Sequence, residues 1–209
     1  RGEVRAVLAA VADAVGSSVE YLHLGSNRLT APLPSAPVPA EGEENGSTSS
    51  RAANEENLAI FGFQALKYLF LDTNDIEAPL KDMAGSALMS DQSPPLKVLS
   101  MHQNRLTGAI PEYIGRLTGL EWLSLGWNRL TGPVPKGLLE LNNLKWCWLA
   151  ANQLSGEFPG SGAGALQSAL PQLRSLKISG NQRLRGCLPL RPCESQGQSS
   201  ADAREAERE

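Results

Sequence analysis

The sequence predicts an α/β solenoid, a right-handed superhelix of about six stacked coils with a short parallel sheet along its concave face. The first observation is that a similar line of sequence recurs every 24 residues, beginning at Leu96, Leu120 and Leu144. The second is that each copy fits L-x-x-L-x-L-x-x-N-x-L-x-G-x-x-P, with Met101 and Cys147 in two leucine positions. Self-similarity at a fixed period of this length is typical of stacked repeats.

Each x-L-x-L segment predicts a short strand whose leucines point inward while the residues between them face solvent. After the strand, an asparagine amide can bond backbone groups in its own coil and the next, because it both donates and accepts (Asn104, Asn128, Asn152). The glycines of the repeat permit a close or strained backbone path, and its prolines stop any strand from continuing. One coil cannot bury its own apolar face, so the coils must stack.

Less regular coils flank the three regular ones. They begin at Val19, Leu66 and Leu173, which gives six coils in a repeat domain predicted over residues 19–193. Apolar residues at helical spacing predict an N-terminal helix within residues 1–18 that caps the open end of the solenoid. Residues 160–172 predict a loop and a short helix inserted into the fifth coil.

Two segments have compositions that cannot bury apolar surface. Residues 35–53 are rich in proline, alanine, serine and glycine and predict a mobile insertion. Residues 194–209 hold five acids and two arginines and predict a disordered charged tail, which accounts for the formal charge of −3.

The L-x-G-x-I-P half of the pattern resembles the plant-type leucine-rich repeat family, known from ectodomains of receptor-like kinases and receptor-like proteins and from polygalacturonase-inhibiting proteins. The resemblance covers about residues 19–189. It implies an extracellular recognition domain for a peptide or a glycan, receptor-like or inhibitor-like. Such ectodomains usually carry a cysteine pair in the N-terminal cap, whereas this chain has no cysteine before Cys147.

The predicted register places the aromatic residues of the chain on the outward face of the strands. All four tryptophans, both histidines and two of the three tyrosines fall there. Trp122 and Trp146 occupy the same position in adjacent coils, about 4.8 Å apart, and should touch. A contiguous patch of exposed aromatic rings is typical of a contact site, although the rings could simply cover the sheet. The predicted partner-binding residues are Tyr21, His23, Tyr68, Phe70, His102, Trp122, Trp127, Trp146, Trp148 and Lys177.

Charge is distributed unevenly along the array. Residues 41–91 hold ten acids and three bases, whereas residues 158–193 hold five bases and no acid. This polarity could orient a partner or promote head-to-tail association, or it could be an uneven solvated surface. The basic end has no base-reading motif, so we expect no nucleic-acid partner.

The sequence predicts no catalytic site, no metal site and no cofactor. The two histidines lie two coils apart with no nucleophile arranged beside either, and Cys147 occupies an inward leucine position. The glycines of residues 160–164 lack the lysine of a phosphate-binding loop. No run of about 18 apolar residues predicts a transmembrane segment.

Three observations bear on the compartment. Cys187 and Cys193 could close a small disulfide, with free thiols as the alternative. Asn45 begins a glycosylation sequon within the predicted mobile insertion. The chain starts at Arg1, so either a targeting segment was removed, as in a secreted or processed organelle protein, or the chain is a piece of a longer product.

The function predicted from these observations is a non-catalytic scaffold that binds a protein partner on its concave aromatic face, as a peripheral subunit of a larger assembly. The alternative is the extracellular recognition domain that the family resemblance implies.

Overall fold

The computed structural model describes residues 7, 10–11, 14, 18–30, 65–81, 95–161 and 164–186. Within this part of the chain, six parallel strands form one sheet whose order in space follows the order in sequence. They are β1 (Tyr21–His23), β2 (Tyr68–Phe70), β3 (Val98–Ser100), β4 (Trp122–Ser124), β6 (Trp146–Trp148) and β8 (Ser175–Lys177). Each strand belongs to a different coil, which confirms the six coils and the parallel sheet predicted from the repeat.

The register of this sheet aligns the middle residues of its strands. They are Leu22, Leu69, Leu99, Leu123, Cys147 and Leu176. All of these side chains except Leu176 are buried, and Leu176 packs partly buried against the core from the last strand of the sheet. The inward residues that the repeat predicts are therefore aligned from strand to strand and form the centre of the core.

A second parallel sheet of three strands was not predicted. It consists of β5 (Thr131–Pro133), β7 (Gln153–Glu157) and β9 (Arg183–Arg185). These strands come from the L-x-G half of the repeat, where glycine weakens any strand signal. Gly132 and Gly156 have φ values of +76° and +77°, a left-handed backbone path that glycine permits and that would strain other residues.

Short helical turns connect the strands. One 3₁₀ helix spans Glu112–Arg116, a second spans Lys136–Glu140, and each begins directly after a proline that fixes an extended φ. The helix α1 (Ala165–Ala169) confirms the short helix expected in the fifth-coil insertion.

At the N-terminal end, residues 7, 10, 11 and 14 are helical, and Val7 and Val11 pack against the core. The rest of the predicted capping helix, the insertion at 35–53 and the tail at 194–209 lie outside the described residues.

The asparagines that follow the strands join the coils to one another. Asn128 is representative: its Nδ2 donates to the carbonyls of Met101 and Leu125, both at 3.0 Å, and its Oδ1 accepts from the Leu106 amide at 2.9 Å. Met101 and Leu106 belong to the preceding coil, so the ladder runs towards the N-terminus rather than to the next coil. Asn27 in the first coil bonds, among the residues that the structure describes, only to carbonyls of its own coil.

Cys147 provides a chemical test of the core. Burial raises the pKa of its thiol from 9.0 to about 12. Because the thiolate is the reactive form, iodoacetamide at about pH 8 should leave Cys147 unmodified in the folded protein and alkylate it about a thousandfold faster in urea. Mass spectrometry of the peptide containing Cys147 measures both states. Rapid alkylation of the folded protein would show that the thiol is accessible.

The raised pKa of Cys147 also makes the free energy of unfolding depend on pH. The folded state holds the Cys147 proton up to the raised pKa, so its contribution to stability is complete below pH 9.0 and is lost towards pH 12. The alkaline loss of unfolding free energy should therefore be smaller in Cys147→Ala than in the unmodified chain.

Candidate functional site

Three tryptophans pack together on the outward face of the six-stranded sheet, which we call the sheet face. The ring centroids of Trp122 and Trp146 lie 5.4 Å apart, and those of Trp122 and Trp148 lie 4.9 Å apart with the planes at 63°. The predicted contact between Trp122 and Trp146 is confirmed, because the sheet register places these two residues opposite each other. We call these three residues the tryptophan cluster.

The next strand fixes the position of Trp148. Its Nε1 donates to Ser175 Oγ at 3.3 Å, and the Nζ of Lys177 lies 3.9 Å from the centroid of its ring. An ammonium at this distance over an indole is a favourable cation–π arrangement. The sequence identified Lys177 but not Ser175, since a serine between strand leucines carries no distinguishing signal.

The indole nitrogen of Trp122 lacks the kind of hydrogen bond that the indole nitrogen of Trp148 makes. Its Nε1 is buried and has no acceptor, and within the described residues it is the one buried side-chain polar atom in that state. An unpaired buried N–H costs about 1–3 kcal/mol, so its presence calls for an explanation.

A second group of rings, the tyrosine cluster, occupies β1 and β2. Tyr21 contacts Tyr68 and Phe70 with centroid separations of 5.7 and 5.5 Å, and His23 stacks on Phe70 at 5.4 Å. Tyr21 is 58% exposed despite these contacts. The rings therefore present apolar surface to solvent at the N-terminal end of the sheet face.

The strand β3 separates the two clusters, because it carries Val98 between Tyr68 and Trp122, and Ser100 opposite Phe70. Ser100 Oγ donates to Asp72 Oδ1 at 2.5 Å, and the His102 amide donates to the same oxygen at 2.9 Å. The imidazole of His102 lies against Gly126, where an added Cβ would be 3.5 Å from Nδ1. Sequence reasoning did not single out Asp72, which ties β2 to β3 here.

Charged residues form a row along the start of the strands. Lys67 pairs with Glu20 at 2.7 Å, and Glu121 accepts from Lys145 at 2.6 Å and lies 4.0 Å from Lys97. The hydrogen bond from Lys145 lowers the pKa of the Glu121 carboxyl below its usual value. Three lysines share two glutamates in these pairs, so the row keeps one net positive charge.

Trp127, one of the predicted partner-binding residues, lies apart from the tryptophan cluster. No other aromatic ring contacts it in the described parts of the chain, and it is 63% exposed. Its φ is +56°, a left-handed conformation that it shares with the residues preceding the asparagine in other coils. Such a conformation is costly for a bulky residue, and the sixth coil has Gly180 there.

We expect Trp127→Gly to raise the free energy of unfolding by about 0.5–1 kcal/mol, since glycine adopts positive φ without steric cost. Trp127→Ala is the matched control, because it removes the same indole but keeps the strain. Urea unfolding of both variants measures the difference. If Trp127→Gly were the less stable of the two, the left-handed backbone would not be a source of strain.

The remaining predicted sites lie outside the described residues. They are Cys187, Cys193 and Asn45. Among the residues that the structure does describe, no group of three His, Cys, Asp or Glu side chains could hold a metal ion. No helix in the same ranges is long and apolar enough to cross a membrane.

Comparisons with known proteins agree with this geometry. A family model described as Leucine Rich Repeat matches residues 95–117. The ectodomain of the receptor kinase SOBIR1 from Arabidopsis thaliana is 30% identical, with a TM-score of 0.51, 62% of this chain covered and 65% of that chain. The BIR2 ectodomain from Arabidopsis thaliana is 26% identical, with a TM-score of 0.51 and coverages of 63% and 62%.

A third structure, of Pollen Receptor Kinase 3, is 27% identical with a TM-score of 0.57 and covers 84% of this chain and 68% of its own. The chain spans less than two thirds of the SOBIR1 and BIR2 ectodomains that it matches. No curated protein sequence matches it. The repeat, the two parallel sheets and these similarities together show a leucine-rich repeat fold that is similar to the ectodomains of plant receptor kinases.

Proposed function

We propose that this chain is a non-catalytic binding domain that holds a polypeptide partner on the sheet face. The observation that carries the proposal is the tryptophan cluster, in which the ring of Trp122 contacts those of Trp146 and Trp148 on a surface outside the core. Tryptophan and tyrosine supply much of the binding energy at protein interfaces because each buries a large rigid area at a small entropic cost.

Two further observations support the sheet face as the interface. The unpaired Nε1 of Trp122 would gain an acceptor if a partner shifted the indole, which would recover the cost of leaving that donor unsatisfied. The tyrosine cluster and the tryptophan cluster are separated by about two strand spacings, roughly 10 Å, across β3. A partner lying across the strands would contact both.

The test localises the partner rather than merely capturing one. A photo-crosslinking amino acid is placed at Trp146 in one protein and at Gln153, on β7 of the second sheet, in the control. Exposure to extract from the native source and irradiation should give a discrete crosslinked species from position 146 only, and Trp122→Ala with Trp148→Ala should abolish it. The proposal fails if both positions crosslink the same species, or if position 146 crosslinks none.

A second candidate function is an extracellular recognition domain, favoured by the similarity to receptor-kinase ectodomains. Mass spectrometry of protein from its native source distinguishes it from a scaffold subunit of a larger assembly. An extracellular route predicts a disulfide between Cys187 and Cys193 and a glycan on Asn45. Two free thiols and an unmodified Asn45 would contradict that route.

A further inference from the structure

We propose that the partner segment seated on the tryptophan cluster is acidic, with carboxylates that pair with Arg174 and Lys177. This inference rests on the proposed function of the sheet face and adds the chemical class of its partner. It derives from the placement of two cations beside the cluster and from the lack of acids paired with them among the residues that the structure describes.

Lys177 lies at the margin of the tryptophan cluster. The register of β6 and β8 places it opposite Trp148, and its ammonium is held 3.9 Å above the indole. Because Trp148 is itself fixed by its bond to Ser175, the charge lies at a defined place on the margin of the cluster. Lys177 is exposed and forms no ion pair within the described residues, so the charge is available to a partner.

Arg174 lies at the end of the row of charged residues along the start of the strands. From Glu20 to Lys145 its acids and bases pair with one another, and Glu121 is shared by two lysines. Arg174 continues the row beyond Lys145, is exposed, and joins no ion pair in the same described ranges. The sequence from Phe158 to Gly186 contains no Asp or Glu, so the sixth coil supplies no counterion of its own.

The tryptophan cluster, Arg174 and Lys177 together form a surface that is both aromatic and basic. Arg174 and Lys177, which have no acidic partner in the described ranges, border packed indoles, an arrangement complementary to a chain that alternates carboxylates with apolar side chains. A nucleic acid fits less well, because the rings contact one another at 4.9–5.4 Å rather than standing apart to receive bases. Two cations also neutralise few phosphates. Asp72, towards the N-terminal end, would repel a uniformly anionic strand crossing the whole face.

The experiment compares two charge reversals at the same end of the solenoid. One variant carries Arg174→Glu and Lys177→Glu on or beside β8, and its matched control carries Arg183→Glu and Arg185→Glu on β9 of the second sheet. The probes are the random copolymers poly(Glu,Tyr) and poly(Lys,Tyr) and an oligo-dT strand, with binding followed by tryptophan fluorescence. Thermal unfolding checks both variants, and Arg174→Gln with Lys177→Gln provides a milder change.

Poly(Glu,Tyr) should bind better than poly(Lys,Tyr) and oligo-dT, and its binding should weaken with added salt. The β8 reversal should weaken that binding by at least about tenfold and the β9 reversal by less than about threefold. Preference for oligo-dT or poly(Lys,Tyr), or equal losses in the two reversals, would overturn the inference. If poly(Glu,Tyr) does not bind while position 146 still crosslinks a partner, the acidic class is wrong and the proposed function stands. Failure of both experiments would reject both.

Discussion

Asn128→Ala should lower the free energy of unfolding by about 3–4 kcal/mol, a large fraction of the stability of an ordinary domain. The Leu106 amide would lose its acceptor, the Asn128 Oδ1 at 2.9 Å. The Met101 and Leu125 carbonyls would each lose one donor but keep another, from the Nδ2 atoms of Asn104 and Asn152. One buried orphan donor and several weakened bonds account for the expected loss.

Asn27→Ala is the matched control for this prediction. Asn27 is exposed, and its recorded bonds within the described part of the chain go to the carbonyls of Leu24 and Gly25 in its own coil, so its loss should cost about 1 kcal/mol or less. Urea unfolding followed by circular dichroism measures both variants. Equal losses at the two positions would mean that the bonds between coils add nothing to the bonds within a coil.

The fold could be predicted because the same pattern of residues recurs at a constant interval of 24 residues. Leu99, Leu123 and Cys147 align in the sheet as the 24-residue spacing requires, and the asparagines after these three strands are buried as the pattern implies. The second sheet could not be foreseen, since β5 reads Thr-Gly-Pro, a sequence that favours turns. Its strands form because stacked coils follow the same backbone path, which places equivalent segments of neighbouring coils side by side.

The candidate site was predictable to the level of which face a residue occupies. Alternation along a strand placed Trp122, Trp146 and Trp148 together, and the register then brought the rings into contact. Sequence could not show that Trp127 stands apart, because strand alternation does not extend to a residue in the left-handed turn after the strand. Nor could it show which hydrogen bonds fix the rings, since side-chain directions depend on neighbours from other coils.

Gly137→Ala should lower the free energy of unfolding by about 3 kcal/mol, because the two 3₁₀ helices pack backbone against backbone. A Cβ at Gly137 would be 2.1 Å from the backbone oxygen of Glu112, and one at Gly115 would be 2.5 Å from the Gly137 oxygen. The Gly137 amide also donates to Glu112 Oε1 at 2.7 Å, so any shift that relieves the clash strains this bond.

Gly119→Ala separates this clash from the general effect of replacing glycine. Its Cβ would approach the Leu96 oxygen only to 3.3 Å, a contact relieved by a shift of a few tenths of an ångström, so its cost should be about 1 kcal/mol or less. Urea unfolding measures the pair. Because the contact between the 3₁₀ helices joins the third coil to the fourth, a large loss at position 137 alone would show that the coils are held together there by close backbone approach. Equal and small losses would mean that the helices can move apart freely, and the solenoid would then depend on its two sheets and its asparagines for the attachment of one coil to the next.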